Sequence, residues 1–416
     1  MKKCLFSFCC LLAWCINAHA INGFFNHGIG TKNKGMAGAG VALAEDAISG
    51  GLNPANLAHL GTRVDFGASI FAPKRGFTVH DDAHDSSNQI RPGYYKSQID
   101  IFLLPQFGFN YQINEKSSVG LIVIPGGGNS EYTSPVFNDV LWQSASEPTG
   151  TDFFQLYVHM PYSRKITDEF SFGIGPVFAV ETMRLRGLQP FKLASDHPDD
   201  VTNNSWDFAY GVGASAGLRY QAHEHLSFGV GVQFRINMSK FDRYRGTIAD
   251  DGNLDIPESF QVGMAFNITD DITLLADYQR IYYDQVKATG NEPSAILQGA
   301  NVGGSDSPSG GWDNANIKKV GIRWQYDPKT VLRAGYSHSN QITPHEHLLV
   351  NYLAPLAAED HISIGATREL DNGHELSVSL TYSPRETPSG KNVLTGQSSD
   401  LLLRQTEFEV TYAWKF

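Results

Sequence analysis

The sequence predicts an all-β fold, a 14-stranded antiparallel transmembrane β-barrel with an N-terminal plug, or hatch, inside its lumen. From residue 63 to residue 416, apolar residues alternate with small or polar ones, which is the period-2 pattern of strands with one apolar face. Short turns alternate with long loops between these strands, as at the two ends of a membrane barrel. The stretch 21–60 instead contains eight glycines and follows no period. It therefore needs support from a surrounding wall.

Residues 1–20 are typical of a signal peptide. They contain Lys2 and Lys3, an apolar run from Leu5 to Ile16, and the small-residue cleavage pattern Ala18-His19-Ala20. We expect the mature chain to start at Ile21, with the hatch at 21–60 and the barrel at 61–416. An uncleaved anchor is disfavoured because a run of about 12 apolar residues is too short to span a bilayer.

All four cysteines lie in the predicted leader, at positions 4, 9, 10 and 15. A lipid-modified Cys15 is disfavoured because bulky Trp14 precedes it. Without the leader the chain has no thiol, which excludes disulfides, thiolate metal sites and cysteine nucleophiles. Loss of the two leader lysines takes the formal charge from −11 to −13. An acidic exported chain is a poor electrostatic partner for nucleic acid or anionic lipid.

The last strand distinguishes a barrel from a long secreted sandwich, which the composition alone would also allow. In Glu407 to Phe416 the odd-numbered positions are Glu, Glu, Thr, Ala and Lys, and the even-numbered positions are Phe, Val, Tyr, Trp and Phe. A chain that ends on an aromatic residue in phase with an apolar face is typical of bacterial outer-membrane barrels. The same alternation recurs upstream, for example in 206–221, 226–243 and 374–384, and there the second face is small or polar, as a lumen would be.

Fourteen strands are predicted, joined by six short turns and seven long loops. An even number of strands leaves both termini at the periplasmic end. The predicted strands are 63–72, 99–112, 118–125, 152–165, 170–184, 206–221, 226–243, 256–268, 272–283, 315–326, 331–339, 361–370, 374–384 and 403–416.

The predicted hatch requires space and polar contacts inside the wall. Five glycines on predicted inner faces, Gly211, Gly213, Gly217, Gly229 and Gly231, leave that space. One short helix is expected at residues 39–47. Glu45 and Asp46 could pair with inward arginines at 219, 235, 323 or 333, or these charges could simply be solvated.

Three motifs in the hatch carry a resemblance to a known family. They are Gly35-Met36-Ala37-Gly38-Ala39-Gly40, Ala44-Glu45-Asp46-Ala47 and Asn53-Pro54-Ala55. Together with a 14-stranded barrel, they make the whole mature chain similar to the FadL-type long-chain fatty acid transporters of the outer membrane, a family that includes aromatic hydrocarbon transporters.

The resemblance implies passive transport without a coupled energy source. In that family the ligand is captured among extracellular loops, moves to an apolar pocket in the lumen and leaves sideways at a kink in the third strand. Here the predicted third strand meets Pro125-Gly126-Gly127-Gly128, where a missing donor and three glycines weaken pairing. We expect a lateral opening there, although these residues could also simply end the strand.

Strand phases place six apolar residues on the inner face, as an apolar cargo requires. They are Phe71, Phe102, Leu104, Ile122, Phe153 and Leu275. Some could instead pack against the hatch. A ligand carboxylate could be held by Lys319, Arg323 or Arg184, with Arg186 beside it. Phe24 and Phe25 are expected to point toward the ligand pocket, Asn53-Pro54-Ala55 to fix the hatch to the barrel, and Gly38 and Gly40 to belong to the same hatch core.

The expected function is transport of long-chain fatty acids, with other hydrophobic compounds as the nearest alternative and a structural or adhesion barrel as the alternative of another class. No residue spacing selects a catalytic set, and the histidine-containing loops at 80–85, 223–225 and 345–347 lack a closed metal-ligand set. We expect no enzyme activity, cofactor, metal or nucleic-acid partner. The expected surroundings are outer-membrane lipid, lipopolysaccharide and the barrel assembly machinery, with the protein as a monomer.

Overall fold

The computed structural model describes residues 23–416, so the predicted signal peptide and cleavage site lie outside the described residues. Fourteen wall strands are numbered here in chain order. They are β1 Arg63–Val79, β2 Phe102–Asn114, β3 Ser117–Gly127, β4 Gly150–His159 continued by Tyr162–Lys165, β5 Phe170–Arg186, β6 Asp207–His223, β7 Leu226–Gln233 continued by Asn237–Met238, β8 Ser259–Asn267, β9 Ile272–Ile281, β10 Ala315–Asp327, β11 Thr330–Ser339, β12 Asp360–Glu369, β13 Glu375–Glu386 and β14 Ser398–Lys415.

The wall closes on itself through its first and last strands. β1 pairs antiparallel with β14 from Arg63↔Lys415 to Val79↔Ser399. Each of the remaining strands is antiparallel to the strands before and after it in the sequence. The predicted closed 14-stranded barrel is confirmed. Closure leaves no long sheet edge for lipid to meet, which a membrane barrel requires.

Alternation along the strands separates a lipid face from a lumen face. On β14, Phe408 is 45% exposed whereas Glu407 and Glu409 are 3% and 1% exposed. The exposed residues face outward because the adjacent carboxylates lie in the enclosed lumen. The period-2 pattern therefore assigned the two faces of this strand correctly.

β7 departs from the predicted uninterrupted strand 226–243. Its pairing with β6 shifts by one residue between Gln233↔Ser215 and Asn237↔Val212. An extra residue in one strand reverses the faces beyond it. Ile236 and Met238, predicted on the lipid face, are accordingly buried.

The long loops form a second apolar core above the wall. Tyr132, Phe137, Phe191, Phe241 and Tyr352 are all buried in one cluster there. Short elements shape these loops. They are the helical turns Val140–Trp142, Gln189–Ala194, Pro198–Asp200, Asp242–Tyr244, Ala249–Gly252, Tyr283–Gln285, Lys287–Gly290, Pro293–Gln298 and Leu349–Leu353, and the strands Gly93–Lys96, Ser130–Glu131, Glu346–His347 and Ser389–Asn392.

The hatch fills the lumen below these loops. It contains three helical turns, Thr31–Lys34, Ile48–Gly51 and Pro54–His59. The helix expected at 39–47 is wrong, because Gly40 has φ +129° and its amide and that of Val41 donate to Asp277 of β9 at 2.8 and 2.9 Å. Wall contacts replace helical hydrogen bonds along this segment.

Within residues 23–416, no helix has both the length and the apolar character to cross a membrane.

Candidate functional site

Pairing of β3 is lost on one side only. With β2 it ends at Phe107↔Val123, whereas with β4 it continues from Ile122↔His159 to Gly127↔Phe154. The predicted weak segment therefore stays attached to β4. A gap is left between residues 102–106 of β2 and the end of β3.

Gly127 gives β3 its bend at this gap. Its φ is +111°, and a Cβ there would overlap the carbonyl of Phe153. The next amide, of Gly128, donates to that same carbonyl at 2.9 Å. A residue with a side chain would be strained here, so the glycine permits the turn away from β2.

The described N-terminal end of the hatch lies against this segment. Asn26 Nδ2 donates to the Pro125 carbonyl at 2.9 Å, and the Phe24 amide donates to the Tyr283 hydroxyl at 3.0 Å. The Phe24 ring lies 5.0 Å from the rings of both Phe153 and Trp312. Burial raises the pKa of Tyr283, so its hydroxyl stays neutral and keeps its own proton while its oxygen accepts this bond.

One cavity, called the wall cavity here, passes through the gap. It encloses about 420 Å³ and is lined on its inner side by Phe24, Phe71, Phe102 and Leu104. Its lining also includes Gly126, Gly127, Gly128 and Phe154, together with the polar residues Asn26, Asn129 and Glu407. Phe154 is 39% exposed and lies on the lipid face, so the lining of this cavity includes both a hatch residue and a residue of the outer side of the wall.

A second cavity, the loop cavity, lies between the wall and the long loops. It encloses about 630 Å³ and is lined mostly by apolar residues, including Phe24, Phe153, Met183, Leu254 and Leu353. Its polar lining consists of threonine and serine. Among the residues that the structure describes, no charged side chain lines it.

A third cavity, the lumen cavity, lies beside the upper part of the hatch and is more polar. It encloses about 670 Å³ and is lined by Phe24, Phe25, Tyr157, Gln261 and Lys319 together with other wall and hatch residues. Phe24 lines all three cavities, and Gly128 lines both the loop and the wall cavity.

Two predicted pocket residues have a different role. Ile122 packs beside Gly51 of the hatch, and Leu275 packs in a cluster with Met36 and Ala39. They lie on the inner face, but neither lines any of the three cavities. They support the hatch.

The four predicted carboxylate-binding cations already have partners. Arg184 pairs with Asp152 at 2.7 Å, and Arg323 pairs with Glu45 at 3.0 Å. Lys319 Nζ donates to the His27 carbonyl and to Gln261 Oε1, both at 3.1 Å. Arg186 pairs with Asp152 at 3.2 Å. Each is occupied by a contact within the protein.

The hatch is fixed to the wall at its other end. Asn53 Nδ2 donates to the Leu218 carbonyl of β6 at 3.0 Å, and Asn53 Oδ1 accepts from the Ala55 amide at 3.1 Å. Pro54 and Ala55 lie directly against Gly173 of β5. Gly38 has φ +82°, and a Cβ there would overlap the His27 carbonyl, so this turn also requires glycine.

Wall glycines mark the path of the hatch. Gly217, Gly229 and Gly231 lie directly under Asn53, Val41 and Leu52. Gly211 and Gly213 instead face Ile236 and Met238 of the β7 bulge, so their predicted role beside the hatch is wrong.

Gly217→Val is expected to destabilise the hatch. A Cβ there would overlap Asn53 Oδ1 and lie 2.9 Å from Pro54 Cδ, and overpacking of this kind costs about 1–3 kcal/mol. Limited proteolysis should cut the hatch faster, and the barrel should unfold at lower temperature. Ala216→Val, which adds carbon on the lipid face of the same strand, is the control. Equal proteolysis of the two variants would contradict the assignment of Gly217 to the hatch seat.

Sequence reasoning did not single out Asn26, Tyr283 or Trp312. Tyr283 is the last residue of the predicted strand 272–283, and Trp312 lies in the predicted long loop 284–314, where no period reveals which residues turn inward. Asn26 lies in the hatch, and only its bond to Pro125 distinguishes it.

A family model described as "Outer membrane protein transport protein (OMPP1/FadL/TodX)" matches residues 11–412. The chain belongs to this family. The predicted resemblance and the outer-membrane location are therefore confirmed. No curated protein matches this member of the family.

Solved structures share the fold of this outer-membrane transport protein. The Pseudomonas putida toluene transporter TodX is 17% identical, with a TM-score of 0.68 over 94% of this chain and 99% of that one. A Pseudomonas aeruginosa FadL homologue is 15% identical, with a TM-score of 0.68 over 95% and 100%. The Ralstonia pickettii toluene transporter TbuX is 15% identical, with a TM-score of 0.65 over 94% and 99%.

Proposed function

We propose that this protein moves hydrophobic small molecules passively through the outer membrane. The ligand enters the loop cavity, passes Phe24 and leaves sideways between β2 and β3. One observation carries the proposal: the three cavities meet at Phe24, and one of them crosses the wall where β2–β3 pairing has ended.

A sideways route suits an apolar ligand. Transfer of apolar surface from water gains roughly 25 cal/mol per Å², so a ligand that left through a water-filled lumen would lose that gain. Phe71, Phe102 and Leu104 line the proposed exit, and lipid lies beyond Phe154. The ligand remains in apolar surroundings, and its own concentration gradient drives the movement.

Long-chain fatty acids are the first candidate cargo. They have a long apolar chain, and the loop and wall cavities together offer two adjoining apolar spaces that share Phe24 and Gly128. Aromatic hydrocarbons are the second candidate. That alternative is favoured by the absence of a charged side chain from the described lining of the loop cavity, and two of the structurally similar proteins are toluene transporters.

Competition binding tests the function and separates the cargoes. The purified barrel would be titrated with a fluorescent fatty acid, with oleate, toluene or a sugar as competitor. Competition by oleate supports fatty-acid transport, whereas competition by toluene alone supports hydrocarbon transport. If no hydrophobic ligand bound saturably, the transport proposal would fail, and an adhesion role through the loops would become the better explanation.

Phe24→Ala is expected to accelerate exchange of ligand between the cavities. The substitution removes a ring that lies 5.0 Å from both Phe153 and Trp312 and separates the three spaces. A ring pair contributes about 0.5–1.5 kcal/mol, so losing two should raise the ligand dissociation rate about tenfold. Stopped-flow release of the fluorescent fatty acid would measure it.

Phe25→Ala provides the matched control for this experiment. Phe25 is the next residue of the hatch, but it lines only the lumen cavity. Its truncation should leave the dissociation rate nearly unchanged. Similar rates for both variants would show that Phe24 does not separate the cavities.

A further inference from the structure

Arg75 is a buried cation that has no anionic partner within residues 23–416. It lies on the inner face of β1, and its side chain is buried, with the residue only 5% exposed. Among the described residues, its Nε and Nη2 have no hydrogen-bond partner. Its backbone is held, because the Ser97 amide donates to the Arg75 carbonyl at 3.0 Å.

Two other buried cations of the lumen have carboxylate partners. Lys34 pairs with Glu407 and Glu409 at 2.5 and 2.6 Å, and Arg333 pairs with Glu45 at 2.6 Å. Burying an unpaired charge is unfavourable. A guanidinium with free donors in such a place is therefore arranged for an anion that binds there and leaves.

The guanidinium lies beside Gly128, a residue that lines two cavities. Arg75 Nη1 is 3.3 Å from the position that a Cβ of Gly128 would occupy, and Gly128 lines both the loop cavity and the wall cavity. The guanidinium carbon is 5.6 Å from the centre of the Phe102 ring. Phe102, with Phe71 and Leu104, forms the apolar side of the wall cavity.

We propose that Arg75 binds the carboxylate of an amphipathic ligand at this junction, with the apolar tail in the wall cavity beside Phe71, Phe102 and Leu104. The inference rests on the proposed transport function and adds the residue that would recognise the head of the cargo. The planar guanidinium fork matches a carboxylate in two-point geometry. A neutral hydrocarbon would gain nothing from it.

The period-2 alternation of the first strand could have identified Arg75 as an inward residue, but the predicted strand ended before it. The predicted first strand ended at residue 72, directly before Pro73. β1 in fact runs to Val79 along β14, while its pairing with β2 stops at Phe71↔Phe102, so Pro73 lies beyond that ladder. Extending the alternation from Phe71 by four residues places Arg75 on the inner face.

Binding of a matched pair of ligands tests this role. Laurate and 1-dodecanol have the same chain length but differ in charge. Arg75→Met keeps the length of the side chain and removes its charge, and Arg75→Lys keeps the charge without the fork. The Kd for laurate should rise about tenfold or more in Arg75→Met, since a charge-assisted pair is lost. The Kd for laurate should rise less in Arg75→Lys, and the Kd for 1-dodecanol should be unchanged in both variants.

Thermal unfolding of the ligand-free barrel provides a second measurement. A purely structural arginine would stabilise the protein, so its removal would lower the unfolding temperature. Removing an unpaired buried charge should leave the temperature unchanged or raise it.

The outcomes separate this inference from the proposed function. Unchanged laurate affinity, an equal loss for both ligands, or a lower unfolding temperature would overturn the role of Arg75, while saturable 1-dodecanol binding would leave the transport proposal intact. If neither ligand bound to the unmodified barrel, both proposals would fail.

Discussion

Cross-linking Leu104→Cys to Gly126→Cys is expected to stop transport without abolishing binding. Continuing the register Phe107↔Val123 across the gap places Leu104 opposite Gly126, and both residues line the wall cavity. A Cβ at Gly126 would lie 3.3 Å from both Gln155 Oε1 and Tyr157 Cε2, so the cysteine requires only a small shift of these two side chains. A reversible bis-thiosulfonate reagent would then join the two strands across the proposed exit.

Uptake by cells should fall more than about tenfold, equivalent to an added barrier of ~1.4 kcal/mol, because the ligand reaches the lumen but cannot leave sideways. The native cysteines lie only at positions 4, 9, 10 and 15, within the predicted leader, so the introduced pair reacts alone. Reduction should restore uptake, and each single-cysteine variant treated with the same reagent serves as a control. Undiminished uptake by the cross-linked barrel would refute a lateral exit at this gap.

Lys34→Met is expected to release the hatch from its seat. Lys34 Nζ lies 2.5 Å from Glu407 and 2.6 Å from Glu409, and all three side chains are buried. Removing the cation leaves two uncompensated carboxylates on β14, and breaking a buried pair in this way costs about 3–5 kcal/mol. The variant should show ion conductance in planar bilayers that the unmodified barrel lacks, and a lower unfolding temperature.

The charge explanation predicts a rescue. Lys34→Met combined with Glu407→Gln and Glu409→Gln removes the cation and both anions together, so most of the lost stability should return. A triple variant as unstable as Lys34→Met alone would indicate that packing of the lysine stem, and not charge, holds the hatch.

Much of the wall could be predicted because a barrel strand carries its own signal. Each residue of β14 faces lipid or lumen according to its parity, and the strand has a partner on both sides, so no distant segment changes that assignment. The loop alternation then gave the topology. The prediction of an uninterrupted strand at 226–243 was wrong for a local reason that the sequence does not reveal. One extra residue at 234–236 reverses the two faces of β7 beyond it.

The site was less predictable because it depends on long-range contacts. Pro125 to Gly128 showed that pairing would weaken, but the sequence could not show that β4 keeps its hydrogen bonds while β2 loses them. The inward phase of Leu275 was correct, yet only the path of the hatch decides whether such a residue meets ligand or plug. For Glu45, the predicted pairing with inward arginines is found with Arg323 and Arg333, because few other places in the lumen compensate a buried carboxylate.

The two ends of the hatch are held by interactions of unequal strength. Aromatic contacts worth about 0.5–1.5 kcal/mol each and the Asn26–Pro125 hydrogen bond hold the end near Phe24. Buried ion pairs of Lys32, Lys34 and Glu45 with wall residues hold the part below. Thermal motion can therefore lift the upper end often while the lower part stays seated. The outer membrane would then admit an oily molecule at this barrel and still exclude water-soluble molecules that need an open pore.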